Sequence, residues 1–192
     1  MTIDYYTWNG TWDGAATPGS DYQAVSGTLT FAPGETTKII TVLVNGDRVG
    51  EPNEQFQLRL ANPGSNDLVT WASATVLDDE PRISISDATR AEGKNRKTSF
   101  TFTVTLSVAY DQPVTMSYRT VNGTASTGDN DYVARSGTLT FAPGETTKTI
   151  TIDVKGDTRK EAAEYFFLDL FGNSTNSLFT KSRGTGTILN DD

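Results

Sequence analysis

Apolar residues recur at every second position through much of this chain. Phe100, Phe102, Val104 and Leu106 alternate with Thr101, Thr103 and Thr105. A period of two built from aromatic and β-branched side chains predicts a strand buried on one face. The same alternation appears at Ile40, Val42 and Val44, at Ile150, Ile152 and Val154, at Phe56, Leu58 and Leu60, and at Phe166, Leu168 and Leu170. No stretch offers a convincing apolar period of 3.6. Turn signals such as Ala32-Pro33-Gly34-Glu35, Asn62-Pro63-Gly64 and Asn122-Gly123 separate these segments, at the spacing of an all-β sandwich. The expected class is therefore all-β, with inward faces from two antiparallel sheets forming the core.

The pattern is also written twice. Residues 26–38 read SGTLTFAPGETTK, and residues 136–148 repeat those thirteen letters 110 positions later. Such a match marks two copies of one module. Asn9-Gly10-Thr11 answers Asn122-Gly123-Thr124, Asp21-Tyr22 answers Asp131-Tyr132, and Gly46-Asp47 answers Gly156-Asp157. Glu51, Glu54 and Phe56 fall on Glu161, Glu164 and Phe166, and Leu77-Asp78-Asp79-Glu80 falls on Leu189-Asn190-Asp191-Asp192. Two domains are expected, residues 1–80 and 81–192. Residues 82–112 have no counterpart in the first copy, which reads as a partial module lacking its first two strands. A piece of a longer tandem array is the expected explanation; strands supplied by upstream sequence or by a neighbouring molecule compete with it.

Composition narrows the chemistry. With neither cysteine nor histidine, disulfides, thiolate sites, imidazole ligands and the commonest catalytic base are excluded, and oxygen remains for metal binding. No apolar run approaches the roughly 20 residues of a membrane helix, and no signal peptide is seen. The first copy carries 3 Lys and Arg against 11 Asp and Glu, the second 13 against 13, so all of the net charge of −8 lies in the first. Nucleic acid, anionic membrane and membrane insertion are poor prospects for such a chain. Paired acids alone can hydrolyse glycosides, but no G-x-S-x-G and no phosphate loop is present, and the chain reads as no enzyme.

Most matched polar letters are carboxylates, and they sit at strand ends. Alternate strand ends of a sandwich converge on one pole. Loops there could gather Glu92, Asp131, Asp157, Glu161, Asp191 and Asp192, whose mutual repulsion a bound cation would offset. Calcium suits them best, accepting roughly 6 to 8 oxygen ligands in irregular geometry. No EF-hand loop is present, so any site is assembled from distant loops.

The string Gly123-Thr124-Ala125, Asp131-Tyr132, SGTLTFAPGE from Ser136, Gly156-Asp157, Glu161, Glu164 and the closing Ile188-Leu189-Asn190-Asp191-Asp192 resembles the Calx-beta domain, over nearly the whole chain. The resemblance implies an immunoglobulin-like sandwich of about seven strands with calcium bound by loops at one end. Its implied ligands are Glu92, Asp131, Asp157, Glu161, Glu164, Asp191 and Asp192 in the second copy. In the first they are Asp21, Asp47, Glu51, Glu54, Asp78, Asp79 and Glu80. Where the exchanger members of the family carry adjacent acids, Gly46 and Gly156 precede Asp47 and Asp157, and Asn190 replaces the first acid of the closing triplet.

The function expected is a calcium-binding structural and adhesive repeat of a larger secreted or cell-surface protein, in which calcium stiffens the junction at Asp78-Asp79-Glu80-Pro81 between neighbouring repeats. A polysaccharide- or protein-binding module with merely structural calcium is the competitor, and a cytosolic exchanger loop the minority setting. Trp8, Trp12 and Trp71 all fall in the first copy, where packing is the expected role and sugar stacking the alternative. The N-x-S/T triplets at Asn9, Asn122 and Asn173 and the tripeptide Lys155-Gly156-Asp157 are assigned no function of their own.

Overall fold

The computed structural model describes residues 1–65, 67–94 and 96–192. Among these, all regular structure is strand, and the chain divides into two compact units, Met1–Asp79 and Glu80–Asp192. Among the described residues no helix is long and apolar enough to cross a membrane.

The first unit is one antiparallel sheet. Its strands are β1 (Thr2–Trp8), β2 (Ser26–Thr30), β3 (Glu54–Ala61) and β4 (Leu68–Val76), in the order β2-β1-β3-β4. A small core forms where Tyr22 stacks on Phe56, ring centroids 4.2 Å apart, with Ala16 buried beside them. The strand expected at Ile40, Val42 and Val44 is not formed: Val44 makes a single bridge to Tyr22, and its neighbours belong to no ladder. Ile39 is 88% exposed and Leu43 55%.

The second unit explains that difference. Its strands are β5 (Arg82–Ile85), β6 (Ala88–Ala91), β7 (Lys97–Leu106), β8 (Val114–Asn122), β9 (Ser136–Phe141), β10 (Thr147–Lys155), β11 (Glu164–Phe171), β12 (Leu178–Lys181) and β13 (Arg183–Leu189). They build two sheets, β10-β7-β5-β12 and β6-β13-β11-β8-β9. Here the repeat of the 40–44 segment is β10, paired along its whole length with β7 from Thr147↔Thr105 to Lys155↔Lys97. A strand has no hydrogen bonds of its own and exists only through a partner. The first unit contains no counterpart of β7 among its strands, so the same alternation stays unpaired.

Inward side chains of both sheets meet around Phe166, whose ring lies 4.5 Å from Tyr132, 5.9 Å from Phe100 and 6.0 Å from Phe102. Ile152, Val104, Leu168 and Val114 complete a fully buried core, each such side chain worth about 1.5–3 kcal/mol of burial. Two pairings are parallel, β12 with β5 and β13 with β6, against the expected all-antiparallel order. They arise because the first strand changes sheets at Ser86-Asp87, where Ser86 N donates to Thr103 O and Thr185 N donates to Asp87 Oδ1 at 2.8 Å. That crossing, with the break at Ser182 between β12 and β13, also raises the strand count to nine. It delivers Glu92 to the end of the sandwich where the other loop acids lie.

Candidate functional site

The loops that carry Asp21 and Asp131 are built identically. Thr17 N donates to Asp21 Oδ2 at 2.5 Å, and Ser126 N donates to Asp131 Oδ2 at 2.7 Å. The following tyrosines, Tyr22 and Tyr132, are fully buried and stack on Phe56 and Phe166. Backbone bonds from Asn45 N to Asp21 O and from Lys155 N to Asp131 O fasten each loop to the next segment. Local sequence makes the turn, and the buried ring beside each aspartate fixes where its carboxylate stands.

Each aspartate meets two glutamates. Carboxylate oxygens of Asp131, Glu161 and Glu164 lie within 4.8 Å of one another, as do those of Asp21, Glu51 and Glu54. Glu164 and Glu54 open β11 and β3, so strand register sets them; Glu161 and Glu51 come from the preceding loops. Crowding is visible in the acidities. Burial, then the charges of Asp131 and Glu161 and a hydrogen bond with Asp131, push Glu164 up to about 7. Burial, then a hydrogen bond with Asp21 and the charges of Asp21 and Glu51, push Glu54 up to about 7. For Asp21 burial is outweighed by hydrogen bonds from Thr17 N and Ser20 Oγ and by its bond with Glu54, and its carboxyl is lowered.

The remaining expected residues surround these triads unequally. Glu92 is buried, raised by burial and by the charges of Asp157, Glu161 and Asp192, against a hydrogen bond from Asn190. Asp157 is exposed and accepts from Arg159 N at 2.6 Å. Asp191 accepts from Gly93 N at 3.1 Å. Asp192 pairs with Lys94 at 3.1 Å through Oδ1, while its buried Oδ2 has no hydrogen-bond partner among the described residues. In the first unit, Asp78 Oδ1 accepts from Glu51 N at 2.6 Å, and burial followed by the charges of Asp47, Asp21 and Asp78 raises Glu51. Asp79 is exposed. Glu80, expected among the ligands of the first copy, is buried, groups with the second unit and accepts from Tyr110 OH at 3.3 Å.

Residues 9–80 and 77–192 match the Calx-beta domain family. The chain belongs to that family. It is 33% identical over 188 residues to sodium/calcium exchanger 2 of Homo sapiens, which covers 88% of this chain and 20% of the exchanger. It is 30% identical to sodium/calcium exchanger 1 of Canis lupus familiaris, covering 82% of this chain and 18% of that protein. The chain thus spans about a fifth of the length of these relatives. The crystal structure of the apo-form Calx CBD1 domain superimposes with a TM-score of 0.50 at 28% identity, covering 59% of this chain and all of that one.

As Calx-beta modules, the two units present donor sets that fit a calcium ion: hard carboxylate oxygens only, several per cluster, contributed by separate loops. The orphaned, buried Asp192 Oδ2 and the glutamates whose pKa is forced upward mark positions where negative charge lacks compensation. The second Calx-beta unit compensates part of its own charge. Lys94 pairs with Asp192, Arg159 Nη1 lies 3.6 Å from Glu161, and Asn190 donates to Glu92 Oε1 at 3.1 Å. Lys94, Arg159 and Asp129, whose charge also raises Glu164, were not singled out from the sequence; only their place beside repeated acids hinted at them. The glycine before Asp157 has a steric cause, since a Cβ on Gly156 would strike the Gly93 carbonyl, whereas Gly46 has open space.

Proposed function

We propose that each Calx-beta unit binds calcium through its triad, Asp21, Glu51 and Glu54 in the first and Asp131, Glu161 and Glu164 in the second, with Asp47 and Asp78, and Glu92, Asp157, Asp191 and Asp192, completing the respective clusters. The carrying observation is that two copies independently place three carboxylates within 4.8 Å at matched positions. Bound calcium supplies the positive charge that offsets this crowding. The protein residues do the rest: Tyr22 and Tyr132 hold the aspartates, strand register holds Glu54 and Glu164, and the loops between carry the exchangeable ligands.

The tandem is then a calcium-ordered structural module of a larger protein. Asp78 leads within two residues into Glu80-Pro81, so an ion at the first cluster restrains the connecting segment, and Pro81 stiffens it further. Small-angle scattering with and without calcium tests this; unchanged profiles would end it. A secreted, adhesive setting rests on composition. Regulation within an exchanger-like protein is the second reading, favoured by the 33% identity to sodium/calcium exchanger 2.

Calorimetric titration of chelator-stripped protein decides both questions, with Glu51→Gln and Glu161→Gln separating the clusters. Each variant is expected to lose the heat of its own unit. Dissociation constants near 10⁻⁷–10⁻⁵ M would suit a sensor, and about 10⁻⁴–10⁻³ M an extracellular module. Absence of heat at millimolar calcium would leave a β-sandwich spacer.

A further inference from the structure

The outward faces of the two equivalent sheets carry opposite charge patterns at matched positions. In the second unit one cross-strand row reads Ser136, Arg119, Asp169, Arg183 across β9, β8, β11 and β13. Asp169 is gripped by Arg183 through two bonds, Nε to Oδ1 at 2.6 Å and Nη2 to Oδ2 at 2.8 Å. In the first unit the same row reads Ser26, Tyr6, Arg59, Trp71 across β2, β1, β3 and β4. A carboxylate between two cations has become a cation between two aromatic rings.

Arg59 thus stands where Asp169 stands in the other row, with aromatic rings in place of the flanking arginines. Its guanidinium carbon lies 3.3 Å above the Trp8 ring, and its Nε donates to Gln57 Oε1 at 3.0 Å. No carboxylate forms an ion pair with it among the described residues. Trp71 beside it is 53% exposed. A guanidinium held over an indole loses little freedom on meeting a carboxylate, which it can hold bidentately. The neighbouring acid on this face, Asp4, is engaged by Thr28 Oγ1 and Gly64 N.

The geometry points to this face as a binding site for an acidic polysaccharide, a uronic-acid carboxylate lying on Arg59 and the sugar C–H faces on Tyr6 and Trp71, a contact made locally at one guanidinium in a unit whose net charge of −8 repels polyanions at longer range. Positively polarised C–H groups suit the negative face of an aromatic ring. A peptide is the poorer fit to the row itself, because the backbone groups of β1 and β3 are consumed on both sides; a peptide pairing with the open edge of β4 would run along the rim of the sheet and not across Tyr6, Arg59 and Trp71. Chained sugar rings need only stacking surfaces and the guanidinium.

The test is a tryptophan-fluorescence titration of the full chain with sodium trigalacturonate, in chelator so that calcium bridging plays no part. A saturable change is expected, weakened at least tenfold in Arg59→Gln and in Trp71→Ala, partly kept in Arg59→Lys, and unaffected by Arg183→Gln. The methyl-esterified trimer, which keeps the rings and removes the charge, is expected not to bind. Equal binding by a correctly melting Arg59→Gln, equal binding of the ester, tighter binding of a glutamate-rich peptide, or no saturable change with trigalacturonate at millimolar concentration would each overturn the assignment.

Discussion

Carboxylate oxygens of Asp21 and Glu54 lie within 4.8 Å of each other, close enough for the two groups to share a proton, although 33 positions separate them along the chain. Two carboxyls can bond in this way only when one of them keeps a proton. In both units that role falls to the glutamate that opens the strand, Glu54 in one and Glu164 in the other, each pushed up to about 7 mainly by burial.

Calcium affinity should weaken as pH falls through about 7, because protons on Glu54 and Glu164 compete with the ion. Titrations at pH 8 and pH 6 check this. The calcium-free protein should behave in the opposite sense. A carboxyl raised in the folded state binds more protons there than in the unfolded chain, so the contribution of these two glutamates to apo stability is fully present below the ordinary carboxylate range and declines as pH rises to about 7. Apo melting temperatures measured across that window should fall, and Glu164→Gln should flatten the fall.

Tyr132→Ala should destabilise the second unit by about 3–5 kcal/mol, the cost of emptying a fully buried aromatic site, since Tyr132 packs face to face with Phe166. Its calcium heat should drop with it, because Asp131 stands on the same anchored loop. Denaturant melts of the calcium-free and calcium-loaded variant measure the two effects separately.

Gly156→Ala should cost on the order of 1–3 kcal/mol, since the new Cβ would overlap the backbone of Gly93. At the matched position Gly46 has nothing within 4 Å, and Gly46→Ala should stay within about 0.5 kcal/mol. Equal effects on thermal unfolding in the two units would show that the close approach of Gly93 is not felt.

Amide exchange should separate segments that the sequence makes alike. Amides of residues 39–42 should exchange far faster than those of 149–152, which sit in the β10–β7 ladder. Hydrogen exchange followed by mass spectrometry reads this directly, and equal protection would mean that the first unit finds another partner for its segment.

Much was legible in the letters alone. The all-β class followed from period-two alternation, and the matched acids of the two copies, Glu92 apart, were visible in their recurrence. The repeated Ala-Pro-Gly-Glu also forms the same turn twice: Glu35 N bonds to Ala32 O and Glu145 N to Ala142 O, with Gly34 and Gly144 at φ of 82° and 84°. Which acids would form the inner triads, and that Glu80 would fold into the second unit, was not legible, because spacing along the chain does not report distances between loops.

Turns and half-buried faces are encoded by neighbours a few residues away, so thirteen identical letters yield one turn in both places. The tertiary structure decided what followed them. Ile152 is sealed opposite Phe100 in a ladder, while the matched Val42 lies outside any strand, because a strand's hydrogen bonds belong to its partner. Cross-strand register likewise set Asp169 against Arg183 and left Arg59 between Tyr6 and Trp71, a relationship that exists only once distant segments lie side by side.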